Sequence, residues 1–147
     1  MAFVPNRGLL VSIDVTNMLK LWKMEDLDDC EVQLQVPEPN PTTCKVSCLY
    51  APPFLTNKQG DKEDNHCFVY IGMENGNIYI FDTYYKHAQT FVNYSIKFNS
   101  LNLPGMQAND SDMVNDIKCH MTKMHRMLIS YRSTAVVVFS INKNSCI

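Results

Sequence analysis

The sequence has no strong charge of either sign. Thirteen Lys and Arg stand against fifteen Asp and Glu, a formal net charge of -2. That excludes a general basic field for nucleic acid or anionic lipid. Glycine is scarce, five residues scattered through the chain, and none forms a phosphate-binding loop or a dinucleotide fingerprint. No apolar run reaches the roughly 20 residues that span a bilayer, so no transmembrane segment is expected. Residues 1–13 show no apolar stretch ending in a small-residue cleavage site, so no signal peptide is expected either. The six cysteines are irregularly spaced in a chain of 147 residues, which is long enough not to depend on disulfide staples. Free thiols in a reducing, cytoplasmic setting are the expectation. The two glycosylation-type triplets at Asn93 and Asn109 then read as chance matches.

What is present is apolar and repetitive. Hydrophobic residues make up 46% and charged residues 19%, a globular balance. Three segments align without gaps. The first is Leu9-Leu10-Val11-Ser12-Ile13, a polar turn, then Leu19-Lys20-Leu21-Trp22. The second is Phe68-Val69-Tyr70-Ile71-Gly72, a turn, then Ile78-Tyr79-Ile80-Phe81. The third is Met127-Leu128-Ile129-Ser130, a turn, then Val136-Val137-Val138-Phe139. Trp22 to Phe81 is an offset of 59, and Phe81 to Phe139 an offset of 58. A near-constant offset marks a repeat architecture. Each unit is two β-branched and aromatic runs around a tight turn, a hairpin pattern. The runs are too densely apolar for sheets with one wet face, so burial on both faces is expected. Asn75-Gly76 supplies the second turn, because both residues tolerate positive φ. Asn17 is a fair substitute at the Gly76 position, whereas Thr134 is a poor one and implies a different third turn.

Flanking segments complete the pattern. Residues 45–50 and 116–121 read as inner strands before the second and third hairpins, and 31–36 and 90–98 as outer strands. Inner strand, hairpin, outer strand is the order of a four-stranded propeller blade. The expected fold is therefore all-β: a partial WD-repeat-type β-propeller of about two and a half four-stranded antiparallel blades. A single incomplete propeller would fill 1–147, with blade segments at 8–36, 45–98 and 116–141. Polar insertions at 56–65 and 99–112 account for the long repeat and read as exposed loops. Residues 24–30 and 84–89 are each expected to form one turn of helix.

Chemistry finds little support. Cys44 and Cys48, with Cys119-His120 and His66-Cys67, invite a metal reading. Residues four apart on a strand lie about 13 Å apart, so one ion cannot take both, and buried small hydrophobes is the better reading. No nucleophile elbow is present, and His66, His87, His120 and His125 are scattered. No catalytic residue, metal or cofactor is expected, and the chain reads as a non-enzyme. The acidic stretches at 25–29 and 61–64 read as solvated loops rather than a cation site, and Lys118, Lys123, His125 and Arg126 as solvated strand ends. Partner contact is instead expected on the rim of within-hairpin turns and inter-blade loops. It would involve Val15, Thr16 and Asn17, then Glu74 and Asn75, then Arg132 and Ser133, with the segments near Pro37 to Pro41 and Asn99 to Asp112. Tyr84 and Tyr85 join this set as aromatic anchors, the equal alternative being that one or both rings pack under the outer strand.

The ordered motifs carry a resemblance. Gly8 to Ile13 with Leu19-Lys20-Leu21-Trp22, then V-S-C-L-Y-A-P-P-F over 46–54 with Val69 to Ile78, then Met127 to Tyr131 with Ala135 to Phe139, resemble successive blades of the lethal giant larvae/tomosyn family. The resemblance spans most of the chain and is closest at the hairpins. It implies a non-enzymatic scaffold that regulates SNARE-dependent vesicle exocytosis and cell polarity. Implied partners are syntaxin-type SNAREs, with Rab GTPases or myosin as further ones. The implied location is cytoplasmic, with peripheral association at the plasma membrane. The alternative is a β-propeller subunit of another trafficking or ciliary coat complex, which would be followed by α-solenoid repeats. An unclosed stack also leaves strand edges and blade faces bare, which invites aggregation, so the isolated chain is expected to express poorly or associate.

Overall fold

The computed structural model describes residues 1–4, 8–52, 68–83, 89–107, 109–120, 126–133, 136–140 and 145–146. The expected loop at 56–65, the helical turn beginning at 84, and Tyr84, Tyr85 and Thr134 lie outside the described residues. Within them, twelve strands form three four-stranded antiparallel sheets, each laid down in chain order. The first holds β1 (Ala2–Val4), β2 (Leu9–Ile13), β3 (Met18–Lys23) and β4 (Asp26–Gln35). The second holds β5 (Val46–Tyr50), β6 (Phe68–Met73), β7 (Ile78–Asp82) and β8 (Thr90–Phe91). The third holds β9 (Val114–Cys119), β10 (Arg126–Tyr131), β11 (Val136–Ser140) and β12 (Ser145–Cys146). The fold is all-β and propeller-like, as a sequence of blade units requires.

Three full sheets replace the expected two and a half, because β1 and β12 add short strands where no periodic pattern announces one. Residues 24–30 do not form a helical turn. Met24 and Glu25 make the tight turn, and β4 begins at Asp26. Register shifts on either side of Trp22 absorb the extra residues. The second outer strand is shorter than expected. After β8, Ile96 returns to pair with Ile78 through two backbone bonds of 2.8 and 2.9 Å, and a 3-10 helix, Phe98–Leu101, follows.

The two predicted hairpin turns share one geometry. Asn17 N–H donates to Asp14 O at 3.0 Å, and Gly76 N–H to Met73 O at 3.1 Å. Asn17 has φ 61° and Gly76 φ 91°. Each is the left-handed residue that closes a three-residue loop into a bulge. Gly76 is also required by space, since a Cβ there would sit 2.6 Å from Asp112 O and 2.8 Å from the Phe98 ring.

Side-chain alternation divides the core in two. Val69, Ile71 and Met73 of β6, with Tyr79 and Phe81 of β7, pack with Val11, Leu19 and Leu21 of the first sheet. The intervening Tyr70, Ile78 and Ile80 pack with Ile117, Met127, Ile129 and Phe139 of the third. The middle sheet is therefore buried on both faces, which explains its unbroken apolar runs. Inner strands β5 and β9 lie beside each other. Ser47 Oγ donates to Val114 O at 2.7 Å, and Gly72 leaves room for Val114, whose Cγ1 would be 2.7 Å from an added Cβ.

The repeat offset maps onto this stacking. Val11, Leu19 and Leu21 face the second sheet, and their counterparts Tyr70, Ile78 and Ile80 face the third. Trp22, Phe81 and Phe139 are likewise equivalent. Phe81 packs against the first sheet and Phe139 against the second, while Trp22 lies on the open face of the first sheet, half-buried.

Cys44 belongs to the first cluster and Cys48 flanks the second, on opposite sides of the middle sheet, so they do not converge. Burial pushes the Cys48 and Cys119 thiols up to about 11 from 9.0, and Cys44 upward as well. Unfolding frees these thiols to ionise near 9.0, while the fold keeps them neutral. The stability that depends on neutral thiols is complete below pH 9.0 and falls as pH rises toward about 11. Thermal melts should hold a flat midpoint from about pH 6 to 8 and decline above pH 9. A midpoint unchanged to about pH 11 would contradict this.

Candidate protein-binding rim

Five backbone segments meet along one rim: the turn at 14–17, the linker at 36–45, the turn at 74–77, the loop at 99–113 and the turn at 132–133. Each is fastened to its neighbour across a blade boundary or within a blade. Asn17 Nδ2 donates to Cys44 O at 2.8 Å, and its Oδ1 accepts from Val46 N at 3.3 Å. Glu74 and Lys45 exchange bonds: Glu74 N to Lys45 O at 2.9 Å, and Lys45 N to Glu74 Oε2 at 3.0 Å. Tyr131 Oη donates to Gly76 O at 3.3 Å, and Asn77 Oδ1 accepts from Phe98 N at 3.1 Å. Asp112 Oδ2 accepts from Ser133 N at 2.9 Å, and Met113 O from Arg132 N at 2.9 Å.

Beneath the rim is a network that composition and periodicity do not signal. Glu38 is buried in the linker between two prolines. Its Oε2 accepts from Tyr79 Oη at 3.0 Å and from Asn75 Nδ2 at 3.3 Å. Lys97 Nζ donates to Tyr79 Oη at 3.2 Å and lies 4.9 Å above the Tyr79 ring. Burial, then the Glu38 carboxylate, drive the Tyr79 phenol well above its ordinary value. A buried carboxylate satisfied in this way locks the linker to the blade behind it.

The rim residues named from sequence separate into two groups. Val15, 83% exposed, and Thr16 stand at the tip of the first turn, which Asp14 organises by accepting from Thr16 N at 2.8 Å and from its hydroxyl at 2.6 Å. Those bonds hold the exposed Asp14 carboxyl below its usual value. Arg132 and Ser133 are also exposed. Asn17, by contrast, is buried and committed to the second blade, so it is a latch and not a contact residue. Glu74 is exposed with its carboxylate engaged, and Asn75 is half-buried with both ends of its amide engaged.

Two depressions open on the described surface here. One, of 390 Å³, lies between the first two sheets beside Asp14, Val15, Lys45 and Ser47. The other, of 590 Å³, is lined by Phe98, Leu103, Pro104, Met106 and Asp110. Among the described residues, no group of three or more His, Cys, Asp and Glu is placed to hold a metal ion. No described helix is long and apolar enough to cross a membrane.

Stacked four-stranded sheets with their turns gathered on one rim define a propeller-like blade stack. No protein-family model matches the chain, and no curated protein matches it significantly.

Proposed function

We propose that the chain is a non-enzymatic protein-binding scaffold of SNARE-dependent vesicle exocytosis and cell polarity, with a syntaxin-type SNARE as its partner. The resemblance of its three hairpins, in order, to lethal giant larvae/tomosyn blades supports the partner class. Rab GTPases and myosin are further partners on the same ground, and the working location is the cytoplasmic side of the plasma membrane, held peripherally. The observation that carries the scaffold reading is the rim itself. Val15, Thr16, Arg132 and Ser133 are presented outward from turns whose backbones are pinned, which limits the entropy lost on binding.

The test is titration calorimetry of the chain against the soluble helical region of a syntaxin-type SNARE. Val15→Asp and Arg132→Glu should each weaken binding at least about tenfold, which is about 1.4 kcal/mol. Tyr94→Ala, at an exposed position away from the rim segments, should leave it unchanged. Absence of binding, or binding indifferent to both rim variants, would refute the proposal.

A further inference from the structure

The repeat places one set of blade-packing positions on a surface that no described sheet covers. Val11, Leu19 and Leu21 are buried by the second sheet, and Tyr70, Ile78 and Ile80 by the third. Their counterparts at the same repeat positions, Leu128, Val136 and Val138, are 46%, 63% and 38% exposed. Leu128 and Val138 are cross-strand partners, so they form a continuous apolar row. A depression of 390 Å³ lies along this face between Lys118, His120, Leu128 and Val138. Arg126 borders it, and its Nε is buried with no hydrogen-bond acceptor among the described residues.

The complementary surface is at the other end of the same chain. Phe3, Leu10 and Trp22 are successive cross-strand partners on the open face of the first sheet. Phe3 is 53% exposed, and Leu10 and Trp22 are half-buried. Leu10 and Trp22 stand at the repeat positions of Val69 and Phe81, which seat against the first sheet, and of Met127 and Phe139, which seat against the second. Polar groups on this face are paired within their own sheet: Trp22 Nε1 donates to Ser12 Oγ at 2.9 Å, and Lys20 Nζ lies 3.8 Å from Asp14.

We propose that the chain closes on a second copy of itself, the first-sheet face of each copy seating on the third-sheet face of the other. Both junctions then repeat the packing found twice inside each copy. Two copies bring six sheets, within the roughly 4–8 blades that close a propeller ring. The two junctions are related by a two-fold axis, so the assembly ends at a dimer and does not grow.

Light scattering coupled to size exclusion tests this. The chain should run at about 34 kDa, twice its 16.9 kDa. Leu128→Asp and Phe3→Asp should each give a 16.9 kDa monomer with unchanged circular dichroism, because both side chains are exposed. Val136→Asp replaces Leu128→Asp should that variant lose its strand signal. Mixing Leu128→Asp with Phe3→Asp restores one sound junction and should yield a mixed dimer. A wild-type monomer would overturn the proposal and leave the face to some other sheet or partner. So would a dimer that survives either variant, as a pairing of two like faces would, or an open series of larger species.

Discussion

Replacing Phe81 by alanine is expected to cost about 3–5 kcal/mol, the range for deleting a buried aromatic ring. Phe81 is fully buried between the first and second sheets, edge-on to Phe91 with ring centroids 5.3 Å apart. The surrounding strands are fixed by ladders on both sides of β7, so the site cannot collapse around the void. Domains of this size are stable by about 5–15 kcal/mol, which makes the loss a large fraction of the total. Urea unfolding should show the midpoint fall with an unchanged slope. Phe139→Ala, at the equivalent position between the second and third sheets, should behave alike. A change below about 1 kcal/mol in both would mean that these rings are not blade-packing residues.

Gly76→Ala is expected to be nearly as damaging, although it adds a single methyl. With φ at 91°, an alanine there carries backbone strain of about 1–3 kcal/mol. The added Cβ would also meet a backbone oxygen, Asp112 O at 2.6 Å, and the buried Phe98 ring at 2.8 Å. Overpacking of that kind costs about 1–3 kcal/mol more. Gly8→Ala is the control. Gly8 also has positive φ, at 59°, but nothing lies within 4 Å of an added Cβ, so only the strain should appear. Equal losses at both glycines would remove the steric role assigned to the loop that carries Asp112.

The hairpins were legible because burial on two faces leaves a strong mark. Phe68-Val69-Tyr70-Ile71 and Ile78-Tyr79-Ile80-Phe81 are apolar at consecutive positions, since odd and even residues enter different cores. Asn17 was legible as a left-handed turn residue, and its φ of 61° matches. Its burial was not, because a short polar side chain suits an exposed turn equally well until Cys44 and Val46 are known to lie beside it. The strand over 26–30 was hidden by three acidic residues whose side chains are solvated, as an outer strand allows. β1 and β12 are too short to show a period. The Glu38, Tyr79 and Lys97 network joins positions 41 and 18 residues apart, and no local pattern encodes such a contact. Pro37 and Pro39 around Glu38 mark a turn and give no hint of a buried carboxylate.

Nuclear Overhauser contacts across the two sheet boundaries probe the stacking of three equivalent blades most directly. Stacked blades require a contact between the Gly72 α-protons and the Val114 methyls, joining the second sheet to the third. They also require one between the Asn17 side-chain amide and the Val46 backbone amide, joining the first to the second. Hairpins that fold separately or share a single core would lack both contacts while keeping their own cross-strand ones, and that pattern would contradict the propeller-like stack.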